Sequence, residues 1–118
     1  MSTTPKHRGE EIEQAKLVKW SHRREVRALM PELAFLHHSP NGGERSAFAG
    51  AQMKALGVKR GFPDLVLPAR RLAWIGLAVE MKSNIGRQSV EQVAWQDFLR
   101  AQGWVYSVAR SADRRSVV

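Results

Sequence analysis

Residues 61–82 read GFPDLVLPARRLAWIGLAVEMK. Two apolar runs separated by Pro68-Ala69-Arg70-Arg71 are the mark of an antiparallel hairpin, because proline and paired charges interrupt a strand while the flanking runs can fill a pleated core. In an antiparallel pair all opposed positions share one midpoint. A midpoint at residue 72, beside the Arg70-Arg71 turn, sets Asp64 directly across from Glu80, with opposed β-carbons about 5 Å apart. Alternation places Lys82 on the face of Glu80, and Val79 and Met81 on the other. Two carboxylates so close repel one another unless a cation lies between them.

The rest of the chain builds outward from this hairpin. Residues 9–30 are good helix formers, with Ile12, Ala15, Leu17, Val18 and Trp20 as apolar positions and acids early, where the helix dipole favours them; Pro31 ends the helix. Residues 33–38 suit a short strand, closed by a turn at Ser39, Pro40, Asn41, Gly42 and Gly43. A second helix is expected over 45–56, with Gly57 at its C-terminal cap. Strands at 63–67 and from 72 or 73 to 82 form the hairpin. After a loop at 83–88, Ser89-Val90-Glu91-Gln92 matches a capping box, and Ala94, Trp95, Phe98 and Leu99 recur at helical spacing until Gly103. Residues 104–109 complete the set as a last strand. Helix, strand, helix, two strands, helix, strand is the order of a mixed α/β sheet.

A chain of 118 residues has room for one domain with one core, so 1–118 is read as a single unit, with residues 1–8 as a flexible lead. Nineteen Lys and Arg against eleven Asp and Glu give a net charge of +8, and the pI is near 10.9. Such a field attracts a polyanion, and nucleic acid is the expected partner. There is no cysteine, which excludes disulfides and thiolate metal sites. The first residues lack a secretory apolar region, and no apolar run approaches the ~20 residues that span a bilayer. A cytoplasmic, membrane-free protein is expected.

Oxygen ligands without cysteine point to a hard ion, Mg²⁺ or Mn²⁺. Such an ion polarises a phosphodiester, and a neighbouring lysine orients water or stabilises developing charge, which is the logic of phosphodiester hydrolysis. Taken alone, Glu80 and Lys82 also fit the exposed face of an edge strand, where an ion pair is worth little.

The combination of motifs goes further. Gly61-Phe62-Pro63-Asp64, Glu80-Met81-Lys82, Ser89-x-x-Gln92 followed by Trp95, and Glu10 with Gln14 resemble the VRR-NUC domain of the PD-(D/E)XK nuclease superfamily, in its stand-alone phage and prophage form. Pro40-Asn41-Gly42-Gly43, Leu56-Gly57-Val58-Lys59, Gly86-Arg87 and Arg100-Ala101-Gln102-Gly103 extend the likeness over residues 10–112. The resemblance implies a restriction-endonuclease-like αβββαβ core, a mixed central sheet flanked by helices. It implies metal ligation by Asp64, Glu80 and the Met81 backbone carbonyl, a catalytic role for Lys82 and a supporting one for Gln92. On helix one, Glu10 fits the family pattern better as a further ligand, and Glu13, one turn on, is the alternate. Gln92 has a second reading as the N3 residue that caps Ser89.

Asn41, Arg45, Lys59, Arg60 and Arg87 adjoin these motifs and are the candidate phosphate contacts. Arg70 and Arg71, at the far tip, call for another explanation. His37 and His38, consecutive in a strand, point apart and do not chelate together. The four tryptophans are read as core or dimer packing.

The resemblance therefore implies a Mg²⁺-dependent, structure-selective DNA endonuclease, similar to Holliday-junction resolvases of phage recombination and repair and acting as a homodimer on branched DNA. Its rivals are a nickase, flap or restriction-like nuclease on the same core, and a non-catalytic DNA-binding phage accessory protein. The intact Asp64, Glu80 and Lys82 argue against the last. Family members usually add a helix after the final strand, and residues 111–118 reach barely one turn into it, so that helix is short or cut off.

Overall fold

The computed structural model describes residues 6–40 and 46–110. Asn41 and Arg45, with the glycines between them, lie outside the described residues, as do residues 1–5 of the flexible lead expected over 1–8 and the expected C-terminal helix at 111–118; the last three residues of that lead already belong to the first helix.

Helix α1 spans Lys6–Ser21 and α2 spans Arg24–Leu29. The single helix expected over 9–30 is thus two. Sequence punctuation does not mark the break, since Ser21-His22-Arg23 holds neither glycine nor proline. Local hydrogen bonds make it instead: the Ser21 hydroxyl donates back to the Val18 carbonyl at 2.6 Å, and Arg27 Nε donates to the Ser21 carbonyl at 3.0 Å, drawing both groups away from the helical ladder. Pro31 then opens a 3-10 turn, Pro31–Phe35, rather than the expected strand. Only His37–His38 (β1) pairs as a strand.

Helix α3, Ala47–Ala55, starts two residues later than expected, at a Ser46 hydroxyl cap, and is closed by Gly57 at φ +101°, the C-terminal cap its sequence predicts. Strand β2 (Leu65–Leu67) pairs antiparallel with β3 (Leu77–Lys82), opposing Leu65 with Val79, Val66 with Ala78 and Leu67 with Leu77. That is the register centred on residue 72. The second strand starts later than expected, because residues 68–76 form a wider connection holding a small turn in which Arg71 and Trp74 bond one another and Leu72 takes φ 55°. Arg71 also meets Glu32 at 2.7 Å, which ties the tip to the 3-10 turn and accounts for one of its two arginines.

Helix α4 (Val90–Ala101) carries the chain over the sheet so that β4 (Val105–Arg110) runs parallel to β3, as a parallel pair requires a crossover. The strand order is β1-β2-β3-β4. Helix α1 covers one face, where Leu17 and Val18 pack on Leu65, Val79, Met81 and Ala109. On the other face Leu99 and Trp95 of α4 pack with Ala78, Tyr106 and Val66. Each fully buried leucine contributes roughly 2 kcal/mol, so both layers hold β3 at the centre. The result is the αβββαβ core with a mixed sheet flanked by helices, and α3 is inserted between β1 and β2.

Candidate active site

The hairpin register, continued by one residue, sets Asp64 across from Glu80 on the face shared with Val66 and Ala78. Asp64 Oδ2 accepts the Met81 backbone N–H at 2.7 Å. In an extended strand the N–H and C=O of one residue point to the same side, so the Met81 carbonyl also faces the β2 edge. Across from it the continued register places Pro63, buried and without an N–H to give. The proline before Asp64 thus leaves a backbone oxygen without a ladder donor beside two carboxylates, while the Met81 side chain joins the core under α1.

Burial raises the Asp64 carboxyl above the usual aspartate range, against the opposing pull of the Met81 N–H and the His38 and Lys82 charges. Lys82 therefore stands close enough to act on Asp64 electrostatically. Glu80 is only 1% exposed, which rules out the exposed edge-strand reading. Its Oε1 accepts the Tyr106 hydroxyl at 2.5 Å and Gln88 Nε2 at 3.2 Å. Its Oε2 is equally buried and has no hydrogen-bond partner among the described residues. Burial first, and then the bond to Glu80, push the Tyr106 hydroxyl well above the usual tyrosine range, so it stays a donor.

An orphaned carboxylate oxygen, a second desolvated carboxylate and a backbone carbonyl are an all-oxygen donor set, which fits Mg²⁺ or Mn²⁺. Among the described residues no three His, Cys, Asp or Glu side chains come together as a metal cluster. Glu10 lies at the border of this set: its Oε2 accepts the Ser83 backbone N–H at 3.3 Å, one residue past Lys82. Glu13 pairs with Lys16 at 3.2 Å and lines a cleft with Trp20, Met81 and Ala109, on the α1 face of the sheet. Of the two candidate acids of α1, Glu10 is the one bonded to the residue that follows β3.

The capping reading of Gln92 describes its side chain as it stands. Gln92 Oε1 takes the Ser89 N–H at 2.8 Å, and the Ser89 hydroxyl takes the Gln92 N–H at 3.1 Å. The amide that touches Glu80 is Gln88, held from behind by Gln96 Oε1 at 3.0 Å. Arg87 is exposed on the same loop, and Lys59 and Arg60 are exposed near Trp95, whose indole N–H donates to the Arg60 carbonyl at 3.0 Å. Trp95 also stands edge-on to Phe62, with centroids 4.8 Å apart.

Four residues escaped the motif reading. Tyr106 and Gln88 hold Glu80. Arg110 holds the loop after β3, donating to the Ser83 and Gly86 carbonyls at 3.0 and 2.6 Å. His38 places Nδ1 2.8 Å from the Asp64 carbonyl, which also accepts the Ser39 N–H at 3.1 Å, and the Gln14 amide lies 3.0 Å from the same ring nitrogen. Both histidines of β1 are exposed. For Tyr106 the signal was strand parity, since it falls on the face of Glu80; for the others no local signal exists.

The VRR-NUC domain model matches residues 4–113. A solved structure described as a VRR_NUC domain protein superimposes with a TM-score of 0.71 at 28% sequence identity, over 92% of this chain and 82% of that one. No curated protein matches the chain.

Proposed function

This chain belongs to the VRR-NUC domain family, a nuclease fold that acts on DNA, and from that premise we propose that it is a metal-dependent, structure-selective endonuclease similar to Holliday-junction resolvases. The observation that carries the reading is the pairing of Asp64 with the buried Glu80, whose Oε2 has no partner among the described residues, beside Lys82. The proposed ligands are Asp64, Glu80 and the Met81 carbonyl, with Glu10 as the helix-one carboxylate at their border. When bound, Mg²⁺ or Mn²⁺ supplies Lewis-acid polarisation of the scissile phosphate.

The chain's own residues do the rest. Asp64, set by its bond from Met81, and Glu80, set by Tyr106 and Gln88, present fixed negative oxygens that need no rearrangement on binding. The Lys82 ammonium donates hydrogen bonds that orient the attacking water and stabilise charge developing on the phosphoryl oxygens as water adds to phosphorus and a P–O bond of the backbone breaks. Gln92 supports the site through the capped first turn of α4 that carries it. Lys59, Arg60 and Arg87, together with Asn41 and Arg45, take the phosphates on either side. A two-fold homodimer presents one such site to each of two strands of a junction. Phage origin, cytoplasmic action and a part in recombination and repair belong to the same proposal. Among the described residues no helix is long and apolar enough to cross a membrane.

The test is a side-by-side panel of four-way junction, flap, fork, single strand and linear duplex, each with Mg²⁺ or EDTA. The junction is expected to be nicked with Mg²⁺ alone, and Lys82→Ala to lose at least ~10²-fold in rate, the scale of one transition-state donor, while keeping salt-sensitive binding. Equal cleavage of linear duplex removes the junction claim. Tight binding by the intact chain with no metal-dependent cut of any substrate overturns the enzyme.

A further inference from the structure

Glu80 is the one buried charged side chain among the described residues, and its two oxygens are treated differently. Oε1 receives two donors, the Tyr106 hydroxyl and the Gln88 amide, while Oε2 receives none among the described residues. Both donors are themselves fixed. Tyr106 is buried in β4 across from the small Ala78, which leaves its ring room to reach diagonally to Glu80. Gln88 is braced by Gln96. Neither belongs to the motif that brings Asp64, Glu80 and Lys82 together.

We propose that Tyr106 and Gln88 are positioning residues that turn Glu80 into a one-oxygen ligand, and so bias the site toward Mg²⁺ or Mn²⁺ and against Ca²⁺. The inference rests on reading Asp64 and Glu80 as cation ligands. Ca²⁺ gathers six to eight oxygens and readily takes a carboxylate through both, whereas Mg²⁺ demands six close, near-octahedral ligands and is served by single oxygens. A carboxylate with one oxygen already saturated by a hydroxyl and an amide cannot chelate through both without breaking those bonds. Tyr106→Phe removes one oxygen atom and leaves the ring that packs against Ala78 and Leu99, so the second Glu80 oxygen becomes available while the core stays filled.

The experiment uses the full chain loaded with Mn²⁺, displaced by Mg²⁺ or by Ca²⁺, with free Mn²⁺ followed by electron paramagnetic resonance. Tyr106→Phe is expected to lower the ratio of Mg²⁺ to Ca²⁺ affinity by about tenfold, the worth of one hydrogen bond to a charged group, and Gln88→Ala to move it the same way by less. A merely structural role would weaken both ions together. An unchanged ratio in a Tyr106→Phe protein with a normal melting curve overturns the proposal, and if that variant does not fold, the Gln88→Ala ratio decides on the same terms. A wild-type chain that binds no Mn²⁺ removes the cation-ligand reading and this proposal with it; Mn²⁺ binding with an unchanged ratio removes this proposal alone.

Discussion

At Asp64 the desolvation of a carboxylate outweighs the Met81 N–H and the nearby positive charges, so its carboxyl titrates above the usual aspartate range. The folded protein therefore keeps this proton to higher pH than the unfolded chain does. Stability is fully present below the ordinary aspartate pKa and declines as pH rises from there through the raised folded value, because in that window the native state binds more protons. At neutral pH an ionised Asp64 is a net burden on the metal-free fold. Asp64→Asn should accordingly raise the melting temperature of the metal-free protein by roughly 3 °C, a shift worth about 0.7 kcal/mol in a domain this size, and, on the proposed function, eliminate cleavage. A lower melting temperature for the variant, measured calorimetrically at pH 7 in EDTA, would show that the carboxylate contributes to folding rather than only to the site. The opposed pair was legible beforehand, because a shared midpoint and side-chain alternation are properties of any hairpin. Tyr106 and Gln88 were not, since neither lies near Glu80 in sequence and nothing local says which oxygen of Glu80 they take.

Among the elements, the approach to Asp64 depends on how closely the chain passes α4. Gly61 has φ +82°, and a β-carbon there would lie 2.6 to 2.7 Å from the Glu91 carbonyl carbon, the Gln92 nitrogen and the Glu91 β-carbon. Gly57 has φ +101° with open space around it. The pair separates two costs: Gly57→Ala carries only the left-handed backbone term, about 1 kcal/mol, and Gly61→Ala adds a backbone collision for a total of at least ~2 kcal/mol. Urea unfolding measures the difference, and hydrogen exchange should show the extra loss confined to the first turn of α4 and the Asp64 strand. Equal costs would mean that the approach relaxes freely. Caps, turns and the hairpin register could be read from sequence because their signals are local. The broken first helix could not, because Ser21 and Arg27 divert a carbonyl through a contact six residues apart. The 3-10 turn at Pro31–Phe35 likewise replaced the first part of the strand expected over 33–38, whose only sequence support there was apolar content.

For the whole molecule, a net charge of +8 makes DNA affinity a function of salt. The logarithm of the binding constant should fall linearly with the logarithm of salt concentration, and replacing Lys59, Arg60 or Arg87 by alanine should each reduce the slope by about one where the residue touches phosphate. Fluorescence anisotropy with a labelled four-way junction in EDTA, where the proposed nuclease is expected not to cut, measures this. A variant that weakens binding at an unchanged slope does not make a phosphate contact and would be struck from the interface. Lys59 and Arg60 flank the Trp95 side of α4, and Arg87 sits on the loop that Arg110 holds, so the three slopes also map how far DNA extends from the carboxylates.

What the amino-acid sequence by itself determined was the order of elements from the expected Ser39–Gly43 turn onward, the hairpin midpoint at residue 72 and, through strand parity, the company of Asp64, Glu80 and Lys82. Each follows from periodicity, turn chemistry or alternation, which act over a few residues. What only the tertiary structure decided was how those groups are held: Glu80 sealed under Tyr106 and Gln88, Glu10 rather than Glu13 bonded to the residue after β3, and Gln92 on its cap rather than against Glu80. Those outcomes depend on which distant side chains arrive at the same place once α1 and α4 close over the two faces of the sheet. Burial and hydrogen-bond satisfaction are properties of that packed arrangement, and no single stretch of chain carries them.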